Sequence, residues 1–117
     1  MPRRPSYGPL HRAAPYRVVL VTAGSLREAR RLAQGMVRRK LAACVNILPS
    51  IESRYRWKGK LCSGREALLV IKTASSRLNP LYRFLSAEHS YQVPEFLALP
   101  VTHGSAAYLG WLQECLC

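Results

Sequence analysis

Aspartate is absent from this chain. All 6 of its acidic residues are glutamate, set against 18 lysines and arginines. The chain also lacks a Ser or Cys in a nucleophile motif, an HExxH helix and a glycine-rich phosphate loop. No enzymatic activity is expected from a sequence so bare of catalytic patterns. Long apolar runs are missing as well. No stretch approaches the ~20 residues of a membrane-spanning helix, so no span is expected. No secretory apolar segment precedes the cysteines, so Cys44, Cys62, Cys115 and Cys117 read as free thiols rather than a disulfide framework. A cytoplasmic location is the matching expectation. Cys115 and Cys117 could meet a soft metal, but two thiols alone do not complete a zinc or iron site.

What the chain does have is positive charge, a formal +12. Such a field attracts nucleic acid, anionic membranes and acidic partners. The basic residues are spread along the sequence, as a solvated basic surface would be. The 117 residues, 49% of them hydrophobic, suit one domain with its own core. Residues 1–15 read as a flexible basic tail, with Pro2, Pro5, Pro9 and Pro15 against helix and Arg3, Arg4 and Arg12 without an acid. The folded domain is expected over residues 16–117.

Hydrophobic periodicity then alternates between two types. Arg17 to Thr22 is β-branched and apolar, the mark of a strand buried on both faces. Ser25 stands three residues before Glu28, a capping-box spacing, and opens a helix expected to about Lys40. Gly35 inside that helix costs roughly 1 kcal/mol against alanine. Ala43 to Trp57 forms a long strand region, with Pro49 marking a bulge or an edge position. From Ile51 onward it alternates, with Ser53, Tyr55 and Trp57 sharing one face. Lys58-Gly59 is a hairpin turn. Glu66 to Thr73 returns as the next strand, with Ser63-Gly64 an expected irregularity before it. Asn79 as cap and Pro80 in the first turn open a second helix. His89 to Glu95 turn the chain into a last strand, Phe96 to Val101. Ser105 precedes a short helix with Tyr108, Trp111, Leu112 and Cys115 on one side.

The order β-α-β-β-α-β plus a terminal helix predicts an α/β (α+β) fold, a ferredoxin-like sandwich with both helices on one face of an antiparallel sheet. Residues 44–57, extended, would span about 46 Å at ~3.3 Å per residue. That exceeds a domain of this size, and the overhang carries Ile51, Tyr55 and Trp57. An exposed apolar strand end wants a partner, so a homo-oligomer is expected from geometry alone.

The motifs KLAACVN (Lys40 to Asn46), YRWKGK (Tyr55 to Lys60), IKT (Ile71 to Thr73), HSYQVPE (His89 to Glu95), LALPV and YLGWL fall in order over residues 17 to 113. In that order and spacing the chain resembles the CutA family, the divalent-cation tolerance proteins. The resemblance implies a ferredoxin-like subunit in a homotrimer whose long strands pair between neighbours. It implies a role in the response to divalent cations, copper above all, and an architecture like the trimeric PII signalling proteins. Copper-binding members of that family use a Cys in the first strand and two consecutive His before the turn. Here those positions are Val21, Glu88 and His89, so one of three ligands carries over unchanged. The loss of a thiolate and an imidazole removes soft and borderline donors. The family's HPYEVPE turn also reads with Ser90 and Gln92 in place of a Pro and a Glu.

Candidate metal ligands are therefore His89, Glu88 and Glu95, for copper or another divalent cation. Each has a structural alternative: His89 at a helix end, Glu95 bonded to turn amides or paired between subunits. The resemblance also places Trp57, Lys72, Tyr91 and Trp111 in a cleft between subunits that could hold a small ligand. His103 reads as a solvated turn residue. A trimeric signalling protein without metal affinity is the rival reading. A nucleic-acid module of the same strand order would need exposed aromatics in an RNP1 pattern, and neither EALLVIKT nor RVVLVT offers that platform. No sequence-specific nucleic-acid binding is expected.

Overall fold

A computed structural model describes residues 10–13 and 15–117. Along the chain run β1 (His11–Arg12), β2 (Tyr16–Ala23), α1 (Leu26–Arg38), β3 (Cys44–Trp57) and β4 (Lys60–Ala74). A single 3-10 turn (Ser75–Arg77) leads into α2 (Leu78–Glu88), followed by β5 (Leu97–Pro100), β6 (His103–Gly104) and α3 (Ala106–Leu116). The main sheet has the order β3-β4-β2-β5, with every neighbouring pair antiparallel. That is the ferredoxin-like arrangement the element order predicts. His11–Arg12, expected in the tail, instead pair with His103–Gly104. The rest of the tail reading concerns residues 1–9, which lie outside the described residues, as does residue 14.

One face of the sheet carries the core. Val19, Val21 and Ala23 of β2 and Ala67, Leu69 and Ile71 of β4 point to it and meet Ala29, Leu32 and Met36 of α1 and Leu81 and Leu85 of α2. The alternation that places these side chains under the helices sends their neighbours to the opposite face. There Tyr16 and Ala74 pack with Ala13, Ala43 and the buried stripe of α3, which is Leu109, Leu112 and Leu116. That stripe is rotated from the expected one, for Tyr108, Trp111 and Cys115 are only half-buried at its border.

The local signals mostly decide the element ends. Ser25 accepts the Glu28 N–H at 3.1 Å and caps α1. Glu28 does not return the bond as a capping box would, because its carboxylate reaches Ser90. At the other end Lys40, at φ 58°, takes the left-handed position usually given to glycine. The Lys40 and Leu41 amides close back on Val37 and Met36, and the Lys40 ammonium holds the Cys117 carbonyl at 2.6 Å. Lys58 (φ 52°) and Gly59 (φ 78°) supply the two left-handed residues of a tight hairpin turn.

Two expectations need correction. β4 begins at Lys60, six residues before the expected start, and Gly64 pairs in register with Ser53. The one register shift lies instead between Leu48 and Ile51, at Pro49, which lacks a ladder donor. Asn79 is not a cap: Arg77 occupies that position without a side-chain bond, and Asn79 sits exposed inside the first turn. Pro80 is still tolerated there because the first turn's amides have no helical partner to lose. Gly35 proves to be a contact residue. A Cβ on it would stand 2.6 Å from Phe84 Cζ, so its missing side chain leaves room for the Phe84 ring of α2 against α1.

Candidate functional site

The turn between α2 and β5 folds onto the end of the sheet and gathers the polar groups there. His89 is the hinge of this arrangement. Its ring is fully buried, and its Nε2 lies 2.7 Å from the Thr22 carbonyl. Its Nδ1 accepts the Tyr91 amide proton at 3.0 Å. An accepting Nδ1 leaves the proton on Nε2, which donates to Thr22. Both ring nitrogens are thus engaged within the protein. β5 pairs with β2 only as far as Leu20, and the imidazole takes up the β2 backbone two residues further on.

Around it two carboxylates are anchored. Glu28 accepts the Ser90 amide and hydroxyl, each at 2.8 Å. Burial disfavours its charged form, but these bonds and the Gly24 amide oppose that, and the carboxyl is held below the usual carboxylate range. Glu66 accepts the Tyr91 hydroxyl at 2.7 Å. Burial again opposes its charge, and hydrogen bonds from Ser53, Tyr91 and Thr22 overcome it and lower its pKa. Tyr91 is held strongly protonated, first by burial and then by the Glu66 bond. Gly24 leaves room for it: a Cβ there would sit 3.3 Å from the Tyr91 hydroxyl. Glu95 shifts the other way. Burial and then the charge of Glu66 push its carboxyl up.

The sequence-selected residues fall into separate places. Glu88 adjoins His89 in sequence but is exposed and turned to Arg31, at 3.3 Å. Val21 is buried under the helices. Glu95 is near enough to Glu66 to feel its charge. Among the described residues, no three His, Cys, Asp or Glu side chains come together as a metal cluster. A metal at His89 would first have to break one of its two bonds, so a single chain does not fit a copper site built on that ring. Tyr91 lies in the Glu66 cluster. Lys72 is about 20 Å further along β4, donating to the Asn46 side chain. Trp57, opposite Lys60 at the hairpin tip, is about 40 Å from Lys72. Trp111 packs on Tyr108 at 5.4 Å. A cleft formed from Trp57, Lys72, Tyr91 and Trp111 would draw on more than one copy of the chain. His103 is exposed, as expected, but in β6.

Sequence reasoning missed Glu28 and Glu66 as parts of the site. Glu28 was visible only as a capping residue. Glu66 carried one signal: a carboxylate in the same alternating row as Leu68, Val70 and Lys72.

The register also defines an open sheet face. Leu48, Leu68 and Thr22 lie in one row, Asn46, Val70, Leu20 and Leu97 in the next, and Lys72, Val18 and Leu99 in the third. Leu97 is 56% exposed, and Leu48 and Leu99 are also open. Beyond them the hairpin continues this face with Tyr55 and Trp57, while Leu61, opposite Arg56 and 81% exposed, points to the other side.

Residues 17–115 match the family described as CutA1 divalent ion tolerance protein. The chain is 50% identical over 103 residues to Protein CutA, chloroplastic, of Arabidopsis thaliana, covering 88% of this chain and 57% of that protein. It is 44% identical over 97 residues to the divalent-cation tolerance protein CutA of Thermus thermophilus, covering 83% of this chain and 94% of that one. The solved structure of CutA from Synechococcus elongatus superposes with a TM-score of 0.89 at 38% identity, covering 93% of this chain and 96% of the other. The chain spans just over half the length of its plant relatives, 57% and 55%.

Proposed function

This chain belongs to the CutA1 family of divalent ion tolerance proteins, and from that premise we propose that it acts in the cellular response to divalent cations as a homotrimer without enzymatic activity. The open sheet face carries the reading. Leu48, Leu68, Val18, Leu20, Leu97 and Leu99 form a continuous apolar surface, and the hairpin extends it with Tyr55 and Trp57. A monomer exposing such a patch would aggregate, and copies that share it bury it. Assembly also supplies the donors a single chain lacks. The cation, copper or another divalent ion, is held weakly between copies, with Glu95 and Glu66, which feel each other's charge, as oxygen donors. A bound cation offsets both the burial and the Glu66 charge that raise the Glu95 pKa.

Light scattering in metal-free buffer tests the assembly. A mass of three times the 13.2 kDa chain is expected, and a monomer overturns the proposal. Copper titration by calorimetry tests the donors. Glu95→Gln weakens binding and His89→Ala does not. The engaged nitrogens of His89 favour a second reading, a signalling or structural trimer without metal affinity. Absence of any heat with copper or zinc selects it. The proposal keeps the chain in the cytoplasm. The Arabidopsis relative carries a chloroplast name, so recovery of this chain in an organelle fraction would overturn that placement.

A further inference from the structure

The outward side of α1 is an arginine surface. Arg27, Arg30, Arg31, Gln34 and Arg38 recur at three- and four-residue steps, and Arg39 follows; all are exposed. That spacing lines them up along one stripe, with successive turns 5.4 Å apart. The helix has one carboxylate, Glu28, which is committed to Ser90 and only 11% exposed. Arg31 pairs with Glu88. Among the described residues, Arg27, Arg30 and Arg38 are in no ion pair.

The stripe borders a groove. Gly35 leaves room for the Phe84 ring on the surface of α1, and the Arg39 guanidinium lies over that ring, 4.8 Å from the centroid. The groove encloses about 250 Å³ and is lined by Arg31, Gln34, Arg38, Arg39 and Phe84, with Glu88 among its walls. We propose that this groove binds single-stranded nucleic acid: the α1 arginines hold the backbone phosphates, and the Arg39–Phe84 stack offers a flat partner to an unpaired base.

Charge complementarity selects the occupant. Guanidinium forks match phosphate oxygens in pairs. Guanidinium planes and aromatic rings are surfaces on which unstacked bases settle without sequence preference. A duplex hides those base faces. An anionic membrane would want large apolar side chains among the arginines, and the exposed side of α1 offers only Val37, 45% exposed. The sheet lacks the aromatic platform of an RNA-recognition motif, so this interface lies on the helical layer instead.

The test is fluorescence anisotropy of a labelled 16-nucleotide oligouridylate with the full chain, from 50 to 200 mM salt. Each phosphate contact to a single strand contributes about 0.7 to the slope of log affinity against log salt. The triple variant R27Q/R30Q/R38Q, with circular dichroism and solution mass unchanged, is expected to lose about two units of slope and to bind more than tenfold more weakly at 50 mM salt. Arg38→Gln alone should lose about 0.7. Arg39→Lys, which keeps the charge but removes the planar guanidinium, should weaken the oligonucleotide but leave inorganic polyphosphate binding nearly as it was. An unchanged slope in both stripe variants overturns the proposal and moves any binding to the arginines of the first fifteen residues. Capture by phosphatidylserine vesicles without affinity for the oligonucleotide overturns it too.

Discussion

Replacing His89 with alanine should cost about 3 kcal/mol of folding stability. The ring is fully buried and bridges two backbone segments: Nε2–H donates to the Thr22 carbonyl at 2.7 Å, and Nδ1 accepts from the Tyr91 amide at 3.0 Å. Removing it strips a buried carbonyl of its imidazole partner, at about 1–3 kcal/mol, and loses a second bond worth about 1 kcal/mol net. The vacated space and the lost contact with the Tyr91 ring, 4.7 Å away, add to this. His89→Gln offers an amide donor for Thr22 but cannot also accept from Tyr91, so it should fall about midway. Urea unfolding by circular dichroism measures the difference, at one fixed protein concentration because an oligomer's stability depends on it. A change below ~0.5 kcal/mol for His89→Ala, against the ~1 kcal/mol expected of even one bond, would refute the bridge. Copper affinity that falls with His89→Ala while stability holds would show a ring free to ligate.

Gly35→Ala should lower the urea midpoint. Alanine gains about 1 kcal/mol in helix propensity. Its Cβ meets Phe84 Cζ at 2.6 Å, and such overpacking costs about 1–3 kcal/mol; a raised midpoint would show that the Phe84 ring swings aside freely. Acid titration followed by near-UV circular dichroism should show stability falling below about pH 4.5. Glu28 and Glu66 both titrate below their unfolded value of 4.5. Their contribution is complete above that value and is lost as pH drops through the lowered ones. Glu95, raised by burial and by Glu66, works in the opposite sense and stabilises on protonation. Glu66→Gln should flatten the acid limb, and an unaltered profile would count against the Tyr91–Glu66 bond as a source of acid sensitivity.

Much of this architecture was legible in the linear chain because it rests on short-range physics. A strand's period of two, a helix's period near four, Ser25 as cap and Lys58-Gly59 as turn each depend on residues a few positions apart. The overlong β3 was readable as well, since strand length follows from rise per residue. The errors arose where a tertiary partner overrode the local rule. Asn79 suited a cap, but the 3-10 turn had already begun the helix. Ser63-Gly64 looked irregular until β3 gave them a ladder.

The candidate site depended on distance in sequence. Glu28 was drawn from its capping role by Ser90, 62 positions on, and the Nε2 of His89 was engaged by Thr22, 67 positions back. Residue type declares what a side chain can bond; proximity decides what it does bond. By itself, then, the sequence determined the βαββαβ plan and the family, and the length of β3 set the expectation of a partner along the hairpin. Only the packed structure decided which polar groups were already satisfied. A hydrogen bond has a reach of about 3 Å, and no local pattern records which distant residues folding brings within it.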